Sequence, residues 1–147
     1  GITVGRAMTE RPDLFALVVS AAGVLNTLRF EFEANGLANI PEFGTVTTES
    51  GFRALYEMDT LHHVVDGVRY PPILLTHGVN DTRVAIWHTA KAAARLRAAG
   101  AADSGPVLFQ VDFDGGHLVT SPTKAADERA DAYACLLNLA RLQTAAA

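Results

Sequence analysis

A strand, a turn and a helix follow one another near the middle of the chain, and they constrain the fold more than any other feature. Residues 72–77 form an apolar run of strand length that ends in a turn at residues 78–81, and residues 87–99 carry a helix-like pattern. In open α/β sheets, the residues that perform chemistry stand at the carboxyl ends of the strands. The sequence therefore predicts that Asp81 and Arg83 lie at a functional edge of a sheet.

A second apolar run ends in the same way. Residues 107–111 are followed by Asp112-Phe113-Asp114-Gly115-Gly116-His117, so two strand ends would present the Asp81 carboxylate and the His117 imidazole. Histidine suits the base that deprotonates a nucleophile because its pKa lies near neutrality, and a buried carboxylate fixes its tautomer. Aspartate before histidine is also the chain order of the second and third triad members in α/β-hydrolases, in which a serine on a nucleophile elbow comes first.

Each of these residues also has a structural interpretation that the sequence leaves open. Asp81 can cap the turn or helix that follows it, and His117 can be an ordinary loop histidine. Arg83 can form a surface ion pair with Asp81, which would contribute only ~0–1 kcal/mol. The positions after two strand-like runs favour catalysis for Asp81 and His117 and substrate contact for Arg83.

The rest of the pattern predicts an α/β fold with a mostly parallel sheet flanked by helices. Apolar and helical segments alternate along the chain, which is typical of βα units. The continuous apolar character of residues 14–20 predicts a strand covered on both faces. Residues 21–48 show no clear periodicity and are interpreted as a functional excursion or lid. The predicted helices are residues 2–9, residues 49–57 with Ser50 near the cap, residues 87–99 ended by Gly100, and residues 124–142.

Composition limits the classes of function. The 147 residues fit one domain, and a hydrophobic content of 49% is enough for a packed core. The net charge of −4 and the lack of a basic run argue against a nucleic-acid partner, and the apolar runs fall far short of the ~18 residues of a membrane span. A single cysteine excludes an internal disulfide.

The two strand-end motifs, residues 78–84 and 111–117, together resemble the end of the catalytic domain in the prolyl oligopeptidase family. Further matches lie at Arg11-Pro12-Asp13-Leu14-Phe15 and Leu61-His62-His63-Val64, so the likeness covers nearly all of the chain. By this resemblance Asp81 is the triad aspartate, His117 is the triad histidine, and Arg83 contacts a carbonyl of the substrate peptide. The resemblance implies the carboxyl-terminal part of an α/β-hydrolase domain, a serine-type mechanism, a peptide substrate and no cofactor.

The sequence departs from the family pattern at its beginning. The family carries its nucleophile in a Gly-x-Ser-x-Gly-Gly elbow just upstream of the equivalent of residues 2–5, and this chain starts at what resembles the last glycine of that motif. We therefore expect residues 1–147 to be a partial catalytic domain, truncated just after the elbow, whose serine and oxyanion hole belong to the upstream remainder of the same polypeptide. This piece alone is expected to be inactive, and its localisation, cytoplasmic or periplasmic, stays open. The serines within the chain, none of them in an elbow context, are Ser20, Ser50, Ser104 and Ser121.

Two further expectations concern the surroundings of the site. Leu118-Val119-Thr120 follow His117 where the family usually has small residues, which predicts a different histidine loop. In the family an aromatic side chain stacks on the substrate proline, and Phe43 and Phe52 are the candidates here.

Three alternatives remain open from the residues alone. An esterase or another α/β-hydrolase could use the same aspartate and histidine on a different pocket. A non-catalytic α/β module could bind a partner through residues 21–48. A metal site is disfavoured because the possible ligands lack the His-x-x-x-His spacing on one helical face; these are His62, His63, His77 and His88, with Asp59 or Asp66.

Overall fold

The computed structural model describes residues 1–118 and 121–145, with side chains up to residue 138. The helices and strands are α1 (Ile2–Glu10), β1 (Val18–Ala21), α2 (Ile40–Phe43), α3 (Glu49–Met58), β2 (Ile73–Gly78), α4 (Trp87–Ala99), β3 (Val107–Asp112) and α5 (Pro122–Ala145). Short 3₁₀ turns lie at Pro12–Leu14, Thr27–Phe32, Gly36–Asn39 and Leu61–His63. Among the described helices, none has the length and apolar character that a bilayer crossing requires.

The three strands form one parallel sheet in the order β1-β2-β3, which confirms the predicted α/β fold. Val18 pairs with Ile73, and Ile73 pairs with Val107, so the carboxyl ends of all three strands lie at one edge. The central strand β2 is buried at all six positions. Its polar terminus is therefore fixed by packing on both sides.

The prediction for β1 was wrong in its start and in its burial. Pro12 begins a 3₁₀ turn that leaves Leu14 63% exposed, and the strand starts only at Val18. Within the strand, Val18 is buried and Val19 is 42% exposed. Among the described residues, one face of β1 is thus uncovered. An apolar run alone cannot distinguish a strand covered on both faces from one covered on a single face.

The helices pack against the sheet through small and apolar side chains. On α4, Ala92, Ala93, Leu96 and Ala99 are buried, which lets the helix approach the sheet closely. On α1, Met8 is fully buried, and a Cβ on Gly5 would overlap the Thr60 side chain. The predicted helices are confirmed apart from small shifts at their ends.

Two details of the helix ends differ from the predictions. The cap of α3 is Thr48, whose hydroxyl accepts a hydrogen bond from the Gly51 amide at 3.2 Å, whereas Ser50 lies inside the helix. Gly100 ends α4 as predicted, and its amide donates to the Leu96 carbonyl. Its φ of −59° is not left-handed, so any need for glycine comes from the close approach of Ser104.

The excursion, residues 21–48, is packed and partly helical. Leu25, Thr27 and Phe30 are buried in it, and its 3₁₀ turns are too short to produce a helical period in the sequence. The fully buried Asp59 ties its first turn to the rest of the chain by accepting the Leu28 amide at 3.1 Å. The lack of periodicity in the sequence therefore did not mean a lack of structure in this segment.

Candidate active site

Asp81 follows β2 and has a side chain that is fully buried. One carboxylate oxygen, Oδ1, accepts the amides of Arg83 at 2.8 Å and Val84 at 2.9 Å. These two bonds fix the turn before α4, as the capping interpretation predicted. The second oxygen, Oδ2, stays available for other partners, so capping and catalysis do not exclude each other.

The loop after β3 is attached directly to the loop that carries Asp81. The Val79 amide donates to the Asp112 carbonyl at 2.9 Å, and the Asn80 amide donates to the Gly115 carbonyl at 2.9 Å. A Cβ added at Gly78 would lie 2.5 Å from the Gly115 carbonyl oxygen. The close approach of the two loops therefore requires glycine at position 78.

The attached loops bring His117 to Asp81. His117 Nδ1 donates to Asp81 Oδ2 at 2.9 Å, and the imidazole side chain is 28% exposed. Because a carboxylate only accepts, the proton of a neutral His117 lies on Nδ1. Nε2 is then unprotonated, which is the state that a general base needs.

The surroundings of Asp81 keep it ionised. Burial alone would raise the pKa of Asp81, but the hydrogen bonds from Val84, His117 and Arg83 outweigh it and lower the pKa below its ordinary value. Asp81 therefore stays a carboxylate at neutral pH and can stabilise an imidazolium at His117.

A second histidine also contacts Asp81. His77 has a fully buried side chain, and its Nε2 lies 3.1 Å from Asp81 Oδ2. The same Nε2 donates to the Val84 carbonyl at 2.9 Å. The sequence indicates His77 only as a possible metal ligand and does not predict this contact. The one signal was a histidine near the end of an otherwise apolar strand.

Arg83 is exposed beside a cavity of about 600 Å³ that opens at the carboxyl edge of the sheet. His117, Asn80 and Leu118 line the same cavity. The alternative ion pair between the Arg83 guanidinium and Asp81 is not formed in the described structure. Arg83 contacts Asp81 through its main-chain amide instead. Within residues 1–118 and 121–138, the Arg83 guanidinium makes no hydrogen bond or ion pair.

The terminal helix is joined to the same edge by one ion pair. Lys124 Nζ lies 3.1 Å from both carboxylate oxygens of Asp112, and this contact lowers the Asp112 pKa. Asp112 Oδ1 also accepts the Asp114 amide at 3.0 Å. These bonds fix the start of the loop that leads to His117.

The other residues considered as functional from the sequence lie elsewhere. Phe43 packs edge-on against Phe30, and Phe52 stacks on Tyr56; neither lines the cavity beside His117. Leu118, the first residue of the predicted variant loop, is 65% exposed, whereas Val119 and Thr120 lie outside the described residues. Ser121 lines the cavity, yet no serine of the described part of the chain hydrogen-bonds to His117.

The histidines considered as metal ligands belong to separate networks. His62 and His63 bind different oxygens of Asp59, at 2.9 and 2.7 Å, while His77 and His88 lie near the sheet and α4. In the part of the chain that the structure describes, no group of three or more His, Cys, Asp or Glu residues is placed to hold a metal ion.

Most of the chain can be aligned with known proteins. A prolyl endopeptidase of Dictyostelium discoideum is 34% identical over 119 residues, which are 80% of this chain and 16% of that protein. A solved prolyl endopeptidase structure superposes with a TM-score of 0.88 at 31% identity, covering 94% of this chain and 20% of the other. A D-to-A mutant of prolyl oligopeptidase B from Galerina marginata, bound to a macrocyclization substrate, gives a TM-score of 0.76 at 26% identity, with coverages of 85% and 18%.

The chain spans about a sixth of the length of the curated relatives it matches. The profile of the prolyl oligopeptidase family matches residues 1–142, which is nearly the whole chain. The match includes both strand ends that carry the Asp81–His117 hydrogen bond. The chain therefore belongs to the prolyl oligopeptidase family.

Proposed function

We propose that this chain supplies the aspartate and the histidine of the catalytic triad in a serine-type peptidase that hydrolyses peptide bonds. The observation that carries the proposal is the 2.9 Å hydrogen bond from His117 Nδ1 to Asp81 Oδ2, made while two amides hold the other oxygen of Asp81. The bond fixes the tautomer of His117 and leaves Nε2 free to accept a proton. Membership of a family of peptidases supports this choice of reaction.

In the proposed reaction, His117 Nε2 takes the proton of a serine hydroxyl as that oxygen attacks the carbonyl carbon of the substrate. The imidazolium is stabilised by the ionised Asp81 and then gives its proton to the leaving amine. Water, deprotonated by the same nitrogen, hydrolyses the acyl-enzyme and regenerates the serine.

The nucleophilic serine is proposed to come from the upstream part of the same polypeptide. Support comes from the described serines, since none of them hydrogen-bonds to His117. The chain by itself should then be inactive, because loss of the nucleophile typically costs ~10⁶-fold in rate. The exposed guanidinium of Arg83 is proposed to donate to a carbonyl of the bound peptide.

The test uses the full-length polypeptide that contains this chain, assayed with chromogenic peptides and with simple acyl esters. His117→Ala should abolish hydrolysis, whereas the matched control His62→Ala, a half-exposed histidine bound to Asp59, should retain it. Faster turnover of proline-containing peptides than of esters supports the peptidase assignment, and the reverse supports an esterase. Hydrolysis at the wild-type rate by the His117 variant would refute the proposal, as would turnover by residues 1–147 alone.

A further inference from the structure

A buried imidazole near the end of the strand β2 contacts the same oxygen of Asp81 as His117. His77 Nε2 lies 3.1 Å from Asp81 Oδ2, and His117 Nδ1 lies 2.9 Å from the same oxygen. One carboxylate oxygen is therefore in contact with two imidazole rings. The first ring is fully buried and the second borders the cavity.

The hydrogen-bond partners of His77 define its protonation. Nε2 faces the carbonyl of Val84 and the carboxylate of Asp81, and both groups only accept, so Nε2 carries a proton. Nδ1 lies 2.6 Å from the hydroxyl of the buried Thr89, which can donate to it. A neutral ring with its proton on Nε2 satisfies all of these contacts.

The same contacts join three elements. His77 is on the central strand, Val84 is on the loop that carries Asp81, and Thr89 is in the first turn of α4. Because the ring is held at both nitrogens, the N–H beside Asp81 Oδ2 has a fixed position. His77 can thus fix the direction in which Asp81 Oδ2 points.

We propose that His77 is a positioning residue of the catalytic machinery, which orients the Asp81 carboxylate toward His117 and limits its charge by placing an N–H beside Oδ2. The proposal rests on the proposed function, since it assigns His77 a part in the same reaction. His77 touches no substrate, because its side chain is fully buried.

Removing the N–H of His77 has two expected consequences. The carboxylate loses one of the contacts that orient it, and outer contacts of this kind typically contribute on the order of 10-fold or more in activity, so kcat should fall while KM stays unchanged. The charge on Oδ2 is also less shared, so it attracts the His117 proton more strongly. The imidazolium form of His117 should then be stabilised more strongly.

Other titratable groups near His77 also affect the pH dependence of activity, so their contribution has to be separated from that of His77. The titratable side chains nearest His77 are Asp81 on the loop after β2 and His88 on α4, with Glu33 and His117 beyond them. The charged side chains that line the same cavity edge are Asp112, Lys124, Asp127 and Glu128. Glu33 and His88 remain in every variant below. A shift that follows position 77 can therefore be assigned to His77.

The test compares His77→Leu with His77→Gln in the full-length polypeptide. Glutamine can place an amide N–H near the position of Nε2, whereas leucine cannot. We expect His77→Leu to lose on the order of 10-fold in kcat at constant KM and to move the acidic limb of kcat/KM upward, and His77→Gln to recover most of both. His63→Leu and His63→Gln form the control pair, since His63 binds the Asp59 carbonyl and lies outside the site.

A second measurement, which does not require turnover, tests the role of His77 independently of the proposed reaction. The pKa of His117 is followed by NMR with labelled histidine, the signal being assigned by its loss in His117→Ala. An upward shift in His77→Leu but not in His77→Gln supports the positioning role even if the polypeptide hydrolyses nothing, an outcome that would count against the proposed function alone. Equal losses in both variants, a change confined to KM, or an unshifted His117 would overturn the role of His77.

Discussion

The chain contains two carboxylate–imidazole pairs that behave in opposite ways. Asp81 and His117 meet at the carboxyl edge of the sheet, where the imidazole is 28% exposed. Glu33 and His88 meet beneath the excursion, where the His88 ring is fully buried and packs between Trp87 and Phe30. Asp81 has a lowered pKa, whereas Glu33 has a raised one.

The number of donors around each carboxylate explains the difference. Asp81 accepts two amides and the His117 N–H, and these three hydrogen bonds outweigh the effect of burial on its pKa. Burial is the main cause of the raised pKa of Glu33, which is opposed by one amide, that of Ala85 at 3.0 Å, and increased by the charge of Asp81.

His88 is held neutral by its other partner. Its Nδ1 accepts the Asn26 amide at 3.1 Å, so protonation at Nδ1 would break that bond. Burial, with a contribution from nearby His77 and Lys91 and against the opposing charge of Asp59, lowers the pKa of His88 to about 4. The Asp81–His117 pair, whose imidazole reaches the cavity, is therefore suited to proton transfer. The Glu33–His88 pair joins the excursion to α4 and to the loop before it.

The largest expected effect comes from replacing the carboxylate of Asp81. Asp81→Asn keeps the shape but removes the acceptor that fixes the tautomer of His117, so kcat should fall by ~10⁴-fold. The measurement is single-turnover peptide hydrolysis by the full-length polypeptide. Asp66→Asn, which changes an exposed carboxylate paired with Arg95, is the control and should retain full activity. Near-normal turnover by Asp81→Asn would contradict the assignment of this pair.

A second prediction concerns the contact between the two loops that carry Asp81 and His117. In Gly78→Ala the new methyl would meet the carbonyl oxygens of Gly115 and Gly116 at 2.5 Å, both of them backbone atoms, so the loop of His117 must move. We expect on the order of 100-fold lower kcat/KM, as for small displacements of catalytic groups. Gly116→Ala is the matched control, since its nearest contact is 3.4 Å from the Asn80 carbonyl oxygen. Similar activities for the two variants would show that the loop contact does not position His117.

Replacing the carboxylate of the buried pair should affect stability rather than catalysis. Glu33→Gln offers one acceptor where the Ala85 amide and the His88 ring need two. The unmatched donor should lower the free energy of unfolding by ~1–3 kcal/mol. Thermal unfolding of the full-length polypeptide measures this loss, and the pH profile of kcat/KM should stay where it is in the wild type. Glu42→Gln, at an exposed position, is the control. A displaced pH profile would mean that the two pairs are coupled in catalysis.

The smallest effect is a pH dependence of stability from His88. Its folded pKa of about 4 is below its ordinary value of 6.5, so only the unfolded state gains the proton as the pH falls through 6.5. The contribution of His88 to the free energy of unfolding is therefore full above pH 6.5 and decreases by about 1.4 kcal/mol per pH unit below it. Denaturant unfolding between pH 7.5 and 5.5 should show this slope in the wild type and a shallower one in His88→Gln. Equal slopes would contradict a neutral, buried His88.

The local sequence was sufficient to predict the parallel sheet and the positions of Asp81, Arg83 and His117. Each of them follows an apolar run and a turn, and the carboxyl ends of neighbouring parallel strands meet at one edge. The catalytic roles of these residues remain proposals. The sequence could not predict the short 3₁₀ turns of the excursion, because segments of four and six residues are too short to show a repeating apolar pattern.

The tertiary structure decided which side chains surround these residues. Glu33 meets His88, and His77 meets Thr89, only because the excursion and α4 pack against the sheet; no local pattern marks those pairs. The exposure of Val19 likewise depends on which elements cover β1. Alternation and turn residues are properties of neighbouring positions, whereas burial, donor number and the resulting pKa depend on contacts between segments far apart in the chain.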